Sequence, residues 1–251
     1  MIIPGIVSIT LKDRKAEEVI AATKEAGLKA IEWSETHHIP KGDIKRAKEI
    51  ALMTRDEGLE IAGYGSYYRP CQCMDIKENL ETAKAMGALQ MRIWAGNKPS
   101  TEYTKEELNA IIKELQEAVL IAEGYGIQLN LEWHRNTLTD KNLSAKRLLG
   151  SVPVLNTLWQ PTPELLFQER MEGLEMILPH LSYMHVYTWD KFERLPFVDG
   201  IDDWRKYFST LSKDKRYYAL LEFVKGDSVD LLYKDAEILK ALVKPKISVI
   251  L

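Results

Sequence analysis

Cysteine is almost absent: the 251 residues contain two, Cys71 and Cys73. Thiols one residue apart cannot staple distant segments, which excludes a disulfide-built fold and fits a reduced, cytoplasmic setting. They lack CxxC spacing and a second pair, which argues against a structural zinc held by thiolates. No apolar run reaches the ~20 residues needed to cross a bilayer, so no membrane partner is expected. The opening Met1-Ile2-Ile3-Pro4-Gly5 lacks the charged-then-apolar layout of a secretion signal. Neither sign of charge dominates. Lys and Arg total 34 against 37 Asp and Glu, a net charge of −3, so the basic footprint of a nucleic-acid binder is missing. Glycine-rich phosphate loops and GxSxG nucleophile elbows are also lacking. A chain of this length can bury a sizeable core without staples.

Strand-length apolar runs alternate with helical patterns eight times. Strands are expected over residues 2–8, 28–34, 59–65, 88–94, 127–133, 152–159, 181–188 and 217–224. Helices are expected over 14–26, 44–57, 74–86, 104–124, 141–149, 164–178, from about 202, and over 229–242. Gly27, Gly58 and Gly87 close the first three, as C-terminal glycines do. Thr104 with Glu107 three residues on is a capping box opening the fourth, which is expected to end at Gly124. Eight βα units in about 250 residues predict an α/β (β/α)8 TIM barrel, a single domain. The barrel is expected over residues 1–243, with 244–251 a short C-terminal extension. Its Ile-Ser-Val-Ile-Leu run needs cover, from the barrel or from a second copy in a homo-oligomer.

Side chains alternate along a strand, one set meeting the outer helices and the other filling the barrel. Leu129, Leu131 and Trp133 are expected outside, with Asn130, Glu132 and His134 inside. Met184 and Val186 face out, and Tyr183, His185 and Tyr187 face in. Ala219, Leu221 and Phe223 face out, and Leu220 and Glu222 face in. Asn156, Leu158 and Gln160 share one parity, and Arg92 and Trp94 share another. Glu132, Gln160, His185 and Glu222 therefore converge at the C-terminal ends of strands five to eight, where barrel enzymes keep their chemistry. Arg92 is expected in an inner ion pair with Glu32. Leaving such groups buried and unpartnered costs about 1–3 kcal/mol each even when neutral. A divalent cation accounts for two carboxylates, an imidazole and an amide oxygen at one depth. Oxygen ligands suit Mg2+ or Mn2+, and the imidazole admits Co2+ and Zn2+.

These residues carry a resemblance. The chain resembles the xylose isomerase-like TIM barrels, the sugar phosphate isomerase/epimerase group of the AP endonuclease family 2 superfamily. The likeness rests on the order and spacing of Ile31-Glu32-Trp33, Gly65-Ser66-Tyr67-Tyr68-Arg69, Arg92-Ile93-Trp94, Leu131-Glu132-Trp133-His134, Trp159-Gln160-Pro161, His185-Val186 and Leu221-Glu222-Phe223. It implies a divalent-metal site at Glu132, Gln160, His185 and Glu222. Gln160 stands where the family usually has Asp, which weakens the site by one negative charge. It implies an isomerase or epimerase acting on a small sugar, sugar phosphate or polyol-derived ketone. Glu132 and Glu222 would move the proton through a metal-stabilised enediolate. His38, His134, Arg69, Trp94 and Lys225 are the implied substrate contacts. A dehydratase of the same scaffold begins with the same proton removal, and a metal-poor carbohydrate-binding protein is the reading that Gln160 favours.

Overall fold

The computed structural model describes residues 1–244, so residues 245–251 of the expected extension lie outside the described residues. The first half runs β1 (Ile2–Val7), α1 (Ala16–Glu25), β2 (Ala30–Ser34), α2 (Ile44–Asp56), β3 (Glu60–Gly65), α3 (Ile76–Met86), β4 (Gln90–Ile93) and α4 (Lys105–Tyr125). The second half follows with β5 (Gln128–Leu131), α5 (Asn142–Ser151), β6 (Asn156–Trp159), α6 (Phe167–Ile177) and β7 (Leu181–Val186). A short hairpin, β8 (Thr188–Asp190) and β9 (Glu193–Leu195), precedes α7 (Ile201–Ser209), β10 (Tyr217–Leu221) and α8 (Val229–Val243). Eight strands close in the order β1-β10-β7-β6-β5-β4-β3-β2, with every neighbouring pair parallel. This is the (β/α)8 barrel expected from the alternation.

Two apolar layers hold the closure. Ile3, Val7, Ala30, Ala62, Leu158, Tyr183 and Leu220 fill the barrel interior. Leu129, Leu131, Trp133, Met184, Val186, Ala219 and Leu221 belong to the larger layer between strands and helices. The alternation rule therefore sorts these positions correctly. Phe223 departs from it. Its strand stops at Leu221, and a left-handed φ of 53° carries its ring to the mouth, 5.9 Å from that of Trp189.

Boundaries shift at several elements, most at the start of β6, which is Asn156 rather than 152, and two shifts have a visible cause. Thr104 and Glu107 form the capping box of α4, but the helix passes through Gly124 and stops at Gly126, whose φ of 71° supplies the left-handed turn. The seventh expected strand ends at Val186 rather than 188, because Thr188–Asp190 turns back to pair antiparallel with Glu193–Leu195. That turn contains Lys191 at φ 53°, with none of the Gly or Asn residues that announce a hairpin. No described helix is long and apolar enough to cross a membrane.

One buried acid is tied to this frame. Asp235 on α8 is 5% exposed, and its Oδ1 accepts the Phe197 N–H at 3.3 Å. Burial pushes its carboxyl up to about 6 from 3.8, despite that hydrogen bond. A carboxyl raised on folding stabilises the fold most below its unfolded value, and stability falls as pH rises from 3.8 through about 6. Asp235→Asn keeps the acceptor and removes the charge. It should unfold in urea as the wild type does at pH 4, and be about 1–3 kcal/mol more stable at pH 8. Equal stability at both values would contradict this reading of Asp235.

Candidate active site

Barrel strands end at the mouth, and the candidate residues stand where they end. β5, β6 and β10 stop at Leu131, Trp159 and Leu221. Glu132, Gln160 and Glu222 are each the next residue, while His185 is the penultimate residue of β7. Backbone pairing fixes their depth. Glu132 N–H donates to Ile93 O at 2.9 Å, and Glu222 N–H donates to Val186 O at 3.0 Å. The Thr10 hydroxyl donates to Leu221 O at 3.2 Å and accepts the Phe223 N–H at 3.2 Å, clamping the chain on either side of Glu222. Thr139 does similar work across the barrel, its hydroxyl donating to Glu132 O at 2.6 Å.

The side chains then converge. One donor atom each from Glu132, His185 and Glu222 lies within 4.8 Å of the others, and all three residues are buried. His185 Nδ1 is 3.3 Å from Glu222 Oε2, a contact without hydrogen-bond alignment, since Nδ1 has no hydrogen-bond partner. Gln160, 5% exposed, joins Glu132 and Glu222 in lining the same cavity, and its Oε1 is buried with no partner. Two carboxylates, an imidazole nitrogen and an orphaned amide oxygen are a donor set that fits a divalent cation.

Arg92 corrects one expectation. Its Nη1 lies 3.1 Å from Glu132 Oε2, while Nε and Nη2 donate to Ser66 O at 3.3 and 3.2 Å. Its direct ion pair is with Glu132 rather than Glu32. Glu32 instead meets His185, its Oε2 lying 3.1 Å from Nε2. Burial opposes the charge on His185, but Glu222 and then Glu32 outweigh it and push the imidazole up to about 10. Burial also opposes ionisation of Glu32, and His185 followed by Arg92 holds it below the ordinary carboxylate range.

Above this cluster the cavity is ≈ 200 Å³ in volume, below the roughly 300–1,000 Å³ typical of drug-sized sites. Trp94 and His134 line it with ring centroids 4.6 Å apart, and Tyr67 stacks on Trp94 at 6.0 Å. His134 Nδ1 bonds Arg135 O. In the neutral ring that bond puts the proton on Nδ1 and leaves the lone pair on Nε2. Arg69 meets the cavity through Trp94, its guanidinium 4.3 Å from the ring. Two expected substrate contacts lie elsewhere. His38 is 6% exposed, packs edge-on to Trp33 at 5.4 Å and bonds Arg14 O at 3.2 Å; burial pushes it down to about 4. The geometry makes it a structural imidazole. Lys225 is half-exposed and faces Glu193 at 3.8 Å, outside the cavity lining. Conversely, Arg135, Lys191 and Phe223 reach the mouth from loops and turns, where strand parity gives no signal.

Comparison with known proteins agrees with this fold. A curated relative, 3-dehydroshikimate dehydratase of Bacillus anthracis, is 20% identical over 88% of this chain and 90% of its own length. The solved structure of a probable 3-DHS dehydratase involved in petrobactin synthesis, also from Bacillus anthracis, superposes with a TM-score of 0.80 at 17% identity, covering 96% and 99% of the two chains. IolI protein with a bound zinc atom gives 0.72 at 14% identity, covering 96% and 98%. L-Ribulose 3-epimerase gives 0.69 at 13% identity, covering 96% and 94%. The model of the xylose isomerase-like TIM barrel family matches residues 20–242, and the chain belongs to that family.

Proposed function

We propose that this barrel is a metal-assisted dehydratase of a small polyhydroxylated carbonyl compound. The observation that carries the reading is the convergence of Glu132, His185 and Glu222 within 4.8 Å, beside the unpartnered Oε1 of Gln160, at the floor of a small cavity. These four residues would hold the ion. A bound divalent ion supplies Lewis acidity, which polarises a substrate carbonyl and acidifies the neighbouring C–H.

The protein's own groups divide the remaining work. Glu222 is the proton acceptor, because in the ion-loaded site its neighbour His185 would be a neutral imidazole rather than a guanidinium. Glu132 forms a buried ion pair with Arg92 at 3.1 Å, which taking up a proton would break. Trp94 and Tyr67 offer flat apolar surfaces to a ring or carbon chain. Lys191 adds positive charge at the rim for an anionic substituent, beside Arg135, which is paired with Glu164 at 3.2 Å.

That asymmetry supports elimination over epimerisation. An epimerase must return a proton at the opposite face, which calls for a second carrier beside the base. Elimination needs one carrier: Glu222 takes the C–H proton, the C–H electron pair becomes the new C=C, the β C–O bond breaks, and the hydroxyl leaves as water with the proton that Glu222 took. The dehydratase name of the curated relative supports the same choice.

With Mn2+ and 3-dehydroshikimate, ultraviolet absorbance should change as the new double bond conjugates with the existing chromophore. Glu222→Gln, which removes both the proton acceptor and a ligand of the ion, should slow that turnover at least about 10²-fold. Solvent deuterium in recovered substrate with no absorbance change would mark an isomerase or epimerase and overturn elimination. For Gln160, the expected result is tighter ion binding when a charge is restored. Gln160→Asp should lower the calorimetric Kd for Mn2+ by about tenfold or more, and an unchanged Kd would remove Gln160 from the ion's ligands.

A further inference from the structure

Glu32 is fully buried yet belongs neither to the ion's donor set nor to the cavity lining. Its placement is specific. The β2–β3 register pairs Ile31 with Ile61 and Glu32 with Gly63, so the extra residue lies on β3 and Glu32 keeps the inward parity of Ala30. Across the barrel, the carboxylate meets His185 Nε2 at 3.1 Å. Gly65 leaves the room for it: a Cβ at that position would lie 2.8 Å from Glu32 Oε1 and 3.5 Å from Arg92 Nη2. A ligating imidazole is neutral and carries one proton, and a carboxylate accepts hydrogen bonds and donates none, so in the ion-loaded site that proton belongs on Nε2. Nδ1 is then left with its lone pair, on the side where Glu222 Oε2 lies 3.3 Å away.

We infer that Glu32 is a positioning residue for the ion, holding His185 in the tautomer and ring orientation that present Nδ1 to it. This inference rests on the metal reading above. Glu32 acts through the imidazole and touches neither ion nor substrate. Partners of this kind orient a ligating histidine and raise its basicity, and losing one typically weakens metal binding by about 10–100-fold. Removing Glu32 also takes a negative charge from the ion's surroundings, so affinity alone does not isolate positioning.

The test is calorimetric Zn2+ binding to the wild type and to Glu32→Gln, with 15N spectra of the histidine rings in the Zn2+-loaded proteins. The wild type should show His185 bound to zinc through Nδ1, with a solvent-protected proton on Nε2. Glu32→Gln should keep its circular dichroism, bind Zn2+ about 10–100-fold more weakly, and lose the protection of that proton. Equal affinity in the two proteins, or zinc on Nε2 in the wild type, would overturn the role of Glu32. The wild-type spectrum decides the point even if the variant does not fold. Absence of Zn2+ binding by the wild type would instead overturn the metal reading itself, a result distinguishable from the first two.

Discussion

Three carboxylates and one guanidinium share the barrel interior, and their charges do not cancel. Glu32, Glu132 and Glu222 face Arg92 with at most 4% exposure for any of them, so a neutral His185 leaves a net charge of −2. Uncompensated ions removed from water cost several kcal/mol each. Protonating His185, which Glu222 and Glu32 favour, relieves half of that excess. A divalent cation relieves all of it. The local features at this end of the barrel serve that constraint: Gly65 admits the Glu32 carboxylate, Ser66 O fixes the Arg92 fork, and Thr10 and Thr139 pin the chain beside Glu222 and Glu132.

A parallel barrel makes such a cluster attainable. Each strand presents one inward position at its C-terminal end, and four strands deliver four donors of three types to one depth without a long loop. The loops then shape access. The β8–β9 hairpin brings Trp189 and Lys191 to the rim, and Arg135 lies 4.9 Å from the Phe192 ring of the same hairpin. A small, cation-rimmed, aromatic-walled cavity above a charged floor suits a compact oxygen-rich molecule. It is poorly matched to a polymer.

Much of this was legible in the residue order. Eight alternations announced the barrel. Strand parity placed Glu132, Gln160, His185 and Glu222 at one end, because parity survives up to the first residue past a strand. It failed one step later, at Phe223, where a left-handed residue breaks the alternation. The hairpin was invisible because Lys191 occupies its turn without glycine or asparagine. Pair identities were harder still. Parity puts Arg92, Glu32 and Glu132 inside together, but closure and stagger decide which carboxylate the guanidinium reaches, and Glu32 meets His185 instead. His38 looked available near the end of the second strand, and only packing against Trp33 and Arg14 reveals it as buried.

The direct test is metal content by mass spectrometry on protein stripped with chelator and reloaded separately with Mn2+, Co2+, Mg2+ and Zn2+. A dication that balances the charge of the barrel floor should bind at about one equivalent per chain with at least one of these metals, and that equivalent should disappear in Glu222→Gln. Failure of all four to bind at millimolar concentration would contradict a metal centre, and with it metal-assisted dehydration.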